Sequence, residues 1–411
     1  MKMVQLNEYV SLRQGLAINA ATNHLVSNCK TGEFVYPLLR IADMVSEKFS
    51  KFISKEVGTS VIANKADIIY TRTGQIGLTF TGQSGVVHNN SFIVDVINDN
   101  INKDYLFTIL QSDFVRNQAT TLAKNSVQPD LTHDMFKSMR IPLPNKKTQH
   151  EIAKIYSILS KKCELNCKIN DNLQQQLKLM YNYWFTQFDF PNADGKPYRA
   201  SGGAMVWNED LKQDIPQAWQ VGSIAKNALS EIIRPGVDTF EQKTYLATAD
   251  VNGTDIGTGN VVDYETRESR ANMQPSYNSV WFAKMKNSVK HLYLNRQMDN
   301  LIKNSILSTG FCGLQCSEQS FEYMASVIGY SYFETIKNTL AHGATQEAVN
   351  NGDLDNIIIV VPSKRVLSMY HDRAKPLYSQ ISKNICENQD LMKLRDWLLP
   401  MLMNGQATIV D

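Results

Sequence analysis

The feature that most constrains the fold of this 411-residue chain is a repeat within its own sequence. When Thr121 is placed on Thr339, TLAKNSVQ at 121–128 aligns without gaps with TLAHGATQ at 339–346. The same offset, called the main repeat alignment below, places Pro144 on Pro362. A repeat of this length indicates that one structural plan occurs twice along the chain.

A further match requires a different offset. TGQIGL at 73–78 aligns with TGFCGL at 309–314 when Thr73 is placed on Thr309, which is called the second repeat alignment below. Surface loops accept insertions that change such an offset, and the matches keep their order along the chain. Together the matches predict a duplication.

Each half of the chain ends in a long predicted helix. Residues 145–185 contain neither Pro nor Gly, and apolar residues recur there at spacings of three and four. Residues 363–403 carry a similar apolar stripe. Because a narrow stripe on a long helix needs a partner, we expect the two helices to pair in antiparallel orientation as a rod of about 60 Å.

The predicted fold class is therefore α+β, with two similar mixed α/β domains separated by the antiparallel helix pair. Short β-rich runs such as ADIIYTRTG and NIIIVVP alternate with turn residues in both domains. The predicted boundaries are 1–144 for the first domain, 145–186 for the first helix, 187–213 for a linker, 214–362 for the second domain, and 363–411 for the second helix with the C-terminal tail.

Composition indicates a soluble protein with reduced cysteines. Apolar residues make up 43% and charged residues 20% of the chain, which is ordinary for a globular protein. The longest aliphatic run, 357–361, is too short to cross a bilayer, so we expect the chain in the cytoplasm. The six cysteines lack zinc-ribbon spacing, and we expect free structural thiols and no metal site.

The charge distribution and the motifs favour a binding protein over an enzyme. The formal net charge is +2, but residues 137–185 contain nine Lys or Arg and three Asp or Glu. This local excess fits either a solvated helix face or a surface that faces a polyanion. No glycine-rich cofactor loop, phosphate-binding loop or amino-methyltransferase motif is found in the sequence. Two domains at a fixed separation would suit two sites on a DNA duplex.

The repeated loops are the candidate contact sites. RTGQIG at 72–77 and STGFCG at 308–313 combine small residues, which permit close approach to the backbone, with hydrogen-bond donors. AKNSVQ at 123–128 and AHGATQ at 341–346 offer hydroxyls, a cation and a Gln. Gln can bridge an adenine edge, and Ser, Thr and Lys suit phosphates or bases. Each loop alone is more simply a tight turn, but their repetition favours a functional interpretation.

The motifs around the two helices resemble a known family. They are IPLPNKKTQHEIAKIYSILS with the aromatic end YNYWF, the following DFPNADGKPYRASGGAMVW, and the C-terminal ENQDLMKLRDWLLPMLMNGQA. In these segments the chain resembles the specificity subunit of type I restriction–modification enzymes, and the resemblance extends over essentially its full length. The second helix is the looser copy, because VVPSKRVLSMYHDRAKP lacks the Leu-Pro and Gln-x-x-Ile elements of the first.

The resemblance implies a noncatalytic DNA reader. In that family two target-recognition domains each read one part of a bipartite, asymmetric DNA site, and the helix pair sets the gap. Two modification subunits that methylate adenine dock on the helices, and translocating restriction subunits join them. S-adenosylmethionine, ATP and Mg²⁺ are therefore expected on partner subunits only. The residues expected to contact double-stranded DNA are Arg72, Thr73, Gln75, Lys124, Asn125, Ser126, Gln128, Thr309, His342, Thr345 and Gln346.

The aromatic end of the first helix has two interpretations. Tyr181, Tyr183, Trp184 and Phe185 predict either a partner-docking surface or a cluster buried between helix and domain. For the whole chain, the alternative function is a noncatalytic two-headed coiled-coil adaptor without DNA recognition. A further alternative is an enzyme whose active site carries none of the motifs sought.

Overall fold

The computed structural model describes residues 2–124 and 129–403. It divides into two compact units. The first unit contains the described residues up to Ser160 and those from Leu394 onward, and the second unit contains Lys161–Lys393. Asn125, Ser126 and Gln128 lie outside the described residues.

The described part of the first unit contains eleven strands and four short helices, followed by a long helix that begins in this unit. The strands are β1 Lys2–Gln5, β2 Val10–Gln14, β3 Val26–Ser27, β4 Phe34–Leu39, β5 Phe52–Ser54, β6 Ile62–Ala63, β7 Ile68–Thr71, β8 Thr79–Phe80, β9 Gly85–Val87, β10 Ser91–Val96 and β11 Arg140–Leu143. The helices are α1 Ile41–Ser46, α2 Lys103–Leu110, α3 Asp113–Ala123, α4 His133–Ser138 and the long α5 Lys146–Tyr181.

The second unit contains fourteen strands among its described residues. They are β12 Met205–Asn208, β13 Gln213–Pro216, β14 Gln220–Ser223, β15 Ser230–Ile232, β16 Lys243–Leu246, β17 Val251–Asn252, β18 Asp255–Ile256, β19 Asn260–Val262, β20 Ala271–Met273, β21 Ser279–Ala283, β22 His291–Leu294, β23 Ser305–Ser308, β24 Phe311–Cys316 and β25 Ile358–Val361. Its helices are α6 Asp299–Asn304, α7 Phe321–Gly329, α8 Ser331–Leu340 and the long α9 Lys364–Met403, whose residues from Leu394 onward belong to the first unit.

The strand pairing confirms the main repeat alignment. In the first unit β1 pairs antiparallel with β11, with Lys2 opposite Leu143. In the second unit β14 pairs antiparallel with β25, with Gln220 opposite Val361. The main repeat alignment places both partners of the first pair on those of the second, and it also places the start of α5 on the start of α9. Each unit also contains a four-stranded sheet of equivalent strand order. The order is β2-β10-β7-β8 in the first unit and β15-β24-β21-β22 in the second.

The second repeat alignment is wrong. Residues 73–78 form the turn between β7 and β8, whereas residues 311–314 belong to β24. The sheet order makes β24 the counterpart of β10, not of the turn after β7. The aligned glycines have different roles. Gly77 has a φ of +92°, which favours glycine, whereas Gly313 packs under the Trp281 ring.

Polar side chains define where the helices of the first unit begin. Asn102, Ser112 and Thr132 each accept a hydrogen bond from a backbone N–H in the first turn of α2, α3 and α4. These side chains satisfy backbone donors that a helix start leaves without partners. The capped helix α3 ends at Ala123, and Lys124, a predicted contact residue, follows it directly.

The long helices bury their apolar stripes in the cores of both units. α5 contributes Ile152 and Tyr156 to the core of the first unit, and Leu177 to that of the second. α9 contributes Tyr370, Ile381 and Ile385 to the core of the second unit, and Leu402 to that of the first. Burial of these stripes, rather than helix propensity alone, stabilises helices of this length.

Within the second unit the two long helices also meet through a layer of buried amides. Asn166 donates to Asn388 at 2.9 Å, and Asn384 donates to Asn170 at 2.8 Å. Asn170 lies one turn after Asn166 on α5, whereas its partner Asn384 lies one turn before Asn388 on α9. The two helices are therefore antiparallel. This arrangement, with mixed sheets in both units, confirms the predicted fold class.

We expect the amide layer to stabilise the second unit. Asn384→Ala leaves the buried Oδ1 of Asn170 without its donor, which should lower the free energy of unfolding by about 1–3 kcal/mol. Asn172→Ala, on the exposed face of α5, is the matched control and should change it by less than about 0.5 kcal/mol. Urea denaturation followed by circular dichroism measures both changes, and equal losses would contradict the role of the layer.

Candidate nucleic-acid interface

In the first unit, the predicted contact loop at 72–77 forms a turn directly after β7. The Thr71 hydroxyl donates to the carbonyl oxygen of Gln75, across the turn. Gly74 and Gly77 have φ values of +73° and +92°, which favour glycine. The side chain of Gln75 is exposed at the tip of this turn.

The turn is held against the segment that follows α3. The Arg72 guanidinium donates through Nε and Nη2 to the Asp130 carboxylate, at 3.0 and 2.6 Å. The backbone reinforces this contact, because Leu131 N–H donates to the Arg72 carbonyl oxygen at 3.0 Å and Thr73 forms a β-bridge with Asp130. The structure therefore holds the turn at 72–77 against Asp130 and Leu131, which follow the predicted contact segment at 123–128 in the sequence.

Neither Arg72 nor Thr73 has the freely exposed side chain that is expected of a hydrogen-bond donor to DNA. The Arg72 side chain is 21% exposed and is engaged by Asp130. The Thr73 hydroxyl is buried and makes no hydrogen bond with the described residues. Lys124, in contrast, is exposed directly after α3. Gln75 and Lys124 are thus the predicted contact residues of this unit that the described structure presents to solvent.

The sequence analysis missed two residues that support this turn. Asp130 anchors Arg72, and Gln14 on β2 accepts a hydrogen bond from Arg72 at 3.3 Å. The Gln14 oxygen also lies 2.9 Å from His133 Nε2, and its amide nitrogen donates to the Asn89 carbonyl oxygen. Burial, aided by the nearby Arg72, lowers the pKa of His133 below its ordinary value. Gln14 is far from the loop in sequence, so only the sheet pairing reveals its role.

In the second unit a turn after β21 connects the two predicted contact regions. Lys284 N–H donates to the Gly310 carbonyl oxygen at 2.9 Å, next to Thr309. On its other side, the Lys284 carbonyl oxygen accepts from Val349 N–H at 3.0 Å, and Lys286 N–H donates to the Glu347 carbonyl oxygen at 2.9 Å. The segment around Thr309 and the loop at 342–348 are therefore both bonded to residues 284–286.

The loop at 342–348 presents its side chains to solvent. His342 and Ala348 exchange two backbone hydrogen bonds, of 3.2 and 3.0 Å, and close the loop at its base. Gly343 has a φ of +138°, and a Cβ atom there would lie 2.5 Å from the Gln346 carbonyl oxygen. Only glycine fits this position. His342, Thr345 and Gln346 are exposed around it.

Three cations that the sequence analysis missed surround Thr309 and this loop. Arg270 is exposed, and its carbonyl oxygen accepts from Thr309 N–H at 2.8 Å. Lys284 lies on the connecting turn, and Lys286 forms an ion pair with Glu347 at 2.9 Å. Arg270 lies in a segment that also contains several acidic residues, so no run of positive charge marks it in the sequence.

The aromatic cluster at 181–185, which begins at the last residue of α5 and continues through the π-helical turn at 182–186, is mainly buried. Trp184 and Phe185 are 4% exposed in the core of the second unit. The Phe185 ring lies 4.7 Å from Tyr323 and 4.9 Å from Tyr370, measured between ring centroids. Of the two interpretations, burial therefore applies to Trp184 and Phe185, and the prediction of a docking surface is corrected for them.

Tyr181 and Tyr183 differ from the two buried rings. Tyr183 is 41% exposed, whereas Tyr181 is partly buried against the core and lines, together with Phe185, an open groove of about 550 Å³. Partner docking stays a prediction for these two tyrosines.

Substitutions should separate the buried rings from the exposed one. Phe185→Ala removes a large side chain from a packed core and should lower the free energy of unfolding by about 3–5 kcal/mol. Tyr183→Ala should change it by less than about 0.5 kcal/mol, because this ring packs little. Chemical denaturation of the two variants measures both values. A small loss for Phe185→Ala would show that the ring is not part of the core.

The described residues offer no metal site. Within 2–124 and 129–403 there is no group of three or more His, Cys, Asp or Glu side chains that could hold a metal ion. Cys312 and Cys316 are free thiols, and burial raises the pKa of both to about 12, which keeps them protonated and unreactive. Among the helices of these ranges, none is long and apolar enough to cross a membrane.

Comparisons with known proteins connect this arrangement to one family. Residues 2–175 match the family model of the type I restriction modification DNA specificity domain. The chain is 22% identical over 368 residues to the type I restriction enzyme MjaIX specificity subunit of Methanocaldococcus jannaschii, across 84% of this chain and 79% of that protein. It is 23% identical over 406 residues to the HindI specificity subunit of Haemophilus influenzae, across 83% of this chain and 86% of that protein.

Among solved structures, the chain is similar to the S subunit of a type I restriction–modification system from M. genitalium. The alignment covers 98% of this chain and 95% of that chain, with 13% identity and a TM-score of 0.48.

Proposed function

Because this chain belongs to the family of type I restriction enzyme specificity subunits, we propose that it selects the DNA sequence on which a type I restriction–modification complex acts. The chain itself is noncatalytic in this proposal, and partner subunits methylate and cleave the DNA. The observation that carries the proposal is the repeated frame, because both units pair equivalent strands in the same register.

A repeated frame with unlike loops suits a DNA site made of two unlike halves. The main repeat alignment places Lys124 on His342, so equivalent positions carry an ammonium group in one unit and an imidazole in the other. Side chains with different donors and acceptors read different base edges. We therefore propose that each unit reads one half of a bipartite, asymmetric site, and that the α5–α9 pair sets the gap.

The chemistry of the exposed loops supports contacts with both bases and phosphates. Gln346 can bridge an adenine edge with its amide, and Thr345 can donate or accept a hydrogen bond. Arg270 and Lys284 lie beside Thr309, where cations can neutralise phosphates. The formal net charge of +2 is low for a protein that binds DNA alone, and it fits a subunit whose partners share the phosphate contacts.

We propose that two modification subunits and the restriction subunits are the protein partners. S-adenosylmethionine, ATP and Mg²⁺ are bound by these subunits, not by this chain. Exposed apolar side chains on the second-unit part of α5 support docking there: Leu165 is 52%, Ile169 37% and Leu179 69% exposed. At about 100° per residue these three side chains lie within about 80° of one another around the helix. Exposed apolar side chains on one face of a helix support a protein interface there.

Methylation of a host genome tests this function. The chain is co-expressed with the modification subunit of the same system in a host that lacks adenine methylation, and the genome is sequenced with a methylation-sensitive method. We expect methylated adenine at a two-part motif with a fixed nonspecific gap, because each unit contributes one half of the recognition.

The control is the modification subunit without this chain, which should leave the genome unmethylated at that motif. A continuous palindromic motif would contradict reading by two unlike units. No new methylation at all would instead favour the adaptor without DNA recognition.

A further inference from the structure

A fully buried lysine lies beneath the connecting turn of the second unit. The Lys337 side chain on α8 is 0% exposed. Its ammonium donates to the carbonyl oxygens of Ala283 and Ser288, at 3.1 and 3.0 Å, and forms an ion pair with Glu334 at 2.7 Å. Removing an ammonium from water is costly, so a lysine at this depth requires partners that replace its hydration.

The two carbonyl groups that Lys337 binds stand at either end of the connecting turn. Ala283 is the last residue of β21, and Ser288 follows the turn at 284–287. The next residue on α8 binds the same turn, because Asn338 Oδ1 accepts from Asn287 N–H at 2.8 Å. Asn287 has a φ of +57°, in the left-handed region, so the turn depends on these contacts for its conformation.

Through this turn Lys337 reaches both predicted contact regions. The turn is bonded to Gly310 through Lys284 and to Glu347 through Lys286. On the helix itself, the Lys337 carbonyl oxygen accepts from Ala341 N–H at 3.0 Å, directly before the loop at 342–348. One buried ammonium group is therefore linked to every contact segment of this unit that the sequence analysis selected.

A compensating charge network surrounds the ammonium group. Glu334 lies between Lys337 and His291, whose Nε2 is 2.9 Å from the other carboxylate oxygen. Tyr293 lies beyond, with its hydroxyl 3.3 Å from His291 Nδ1. Burial by itself raises the pKa of Glu334, but the hydrogen bond with His291 and the ion pair with Lys337 hold it below its ordinary value. Glu334 is thus a carboxylate at neutral pH and balances the buried cation.

We propose that Lys337 is a positioning residue for DNA recognition by the second unit. Its ammonium group fixes the turn at 284–287, and the turn fixes Thr309 and the loop at 342–348 relative to each other. Lys337 does not itself meet DNA in this proposal, since no part of its side chain is exposed. The inference rests on the proposed function and adds to it a residue on which the specificity of one half-site depends.

The test is the base specificity of methylation at each half-site separately. The double variant Lys337→Met with Glu334→Gln removes the donor without leaving a buried carboxylate unpaired. In the genome-sequencing assay we expect discrimination against single mismatches to fall by about tenfold in one half-site and to stay unchanged in the other. Unchanged discrimination in both halves, or an equal fall in both, would overturn the proposal.

Two controls separate positioning from general destabilisation. Thr335→Ala alters an exposed residue of α8 whose hydroxyl bonds within the helix, and it should leave both half-sites unchanged. His371→Gln disrupts a hydrogen bond of 2.7 Å between His371 Nδ1 and the buried Glu322 carboxylate, elsewhere in the second unit. It should lower stability without relaxing either half-site, and relaxation equal to that of the double variant would overturn the proposal.

A milder variant keeps the test decisive if the double variant yields no folded complex. Asn338→Ala removes one hydrogen bond to the same turn and leaves the buried charges in place. It should relax the same half-site to a smaller extent, and no relaxation would overturn the proposal. The wild-type chain shows whether a negative result concerns the proposed function or only the role of Lys337. If it directs no two-part methylation, the proposed function fails; if it does and both turn variants retain full specificity, only the role of Lys337 fails.

Discussion

Both units depend on a backbone pairing between the two strands that stand at the beginning and the end of each mixed α/β segment. β1 pairs with β11 and β14 pairs with β25, and equivalent residues stand opposite each other in the two pairs. The hydrogen bonds of each ladder hold the two ends of the intervening segment together, and a proline and a long helix follow each exit strand. Because the ends are fixed in this way, the loops between them can differ between units without changing the frame.

The two units position their contact loops by different electrostatic means. In the first unit the Arg72–Asp130 pair is partly exposed, with side chains 21% and 36% accessible. In the second unit the Lys337–Glu334 pair is buried, at 0% and 11%. A partly exposed pair is screened by water and salt, whereas a buried pair is strongly destabilising when one partner is lost. The geometry of the second unit's loops should therefore be less sensitive to ionic strength.

The sequence predicted the frame well, because the frame has periodic signals. Prolines after β-rich runs, apolar spacings of three and four, and the main repeat alignment place the strand exits and both helices close to their observed bounds. The candidate contact loops at 123–128 and 341–346 were selected through the main repeat alignment, and their contact with DNA stays a prediction. The residues that hold these loops were not predicted, because Asp130 lies 58 residues from Arg72 and Ala283 lies 54 residues from Lys337, and no local pattern links these pairs.

Two errors have a common cause. The local sequence does not show which structural role a residue has. The glycines of TGQIGL and TGFCGL look equivalent, but Gly77 needs a positive φ and Gly313 needs room for Trp281, whose ring would lie 2.5 Å from a Cβ atom. Trp184 and Phe185 at a helix end resemble a docking surface, yet the core of the second unit covers them. Tertiary packing decides both cases.

Hydrogen–deuterium exchange measures directly whether the candidate contact loops of both units face DNA. The complex of this chain with its modification subunits is measured with and without a duplex that carries its methylation site. If both units bind DNA through these loops, amide exchange slows on DNA binding in the segments at 72–78 and 342–348 and stays unchanged in the hairpin at 205–216. Protection of that hairpin with no change in either loop segment would contradict binding through these loops.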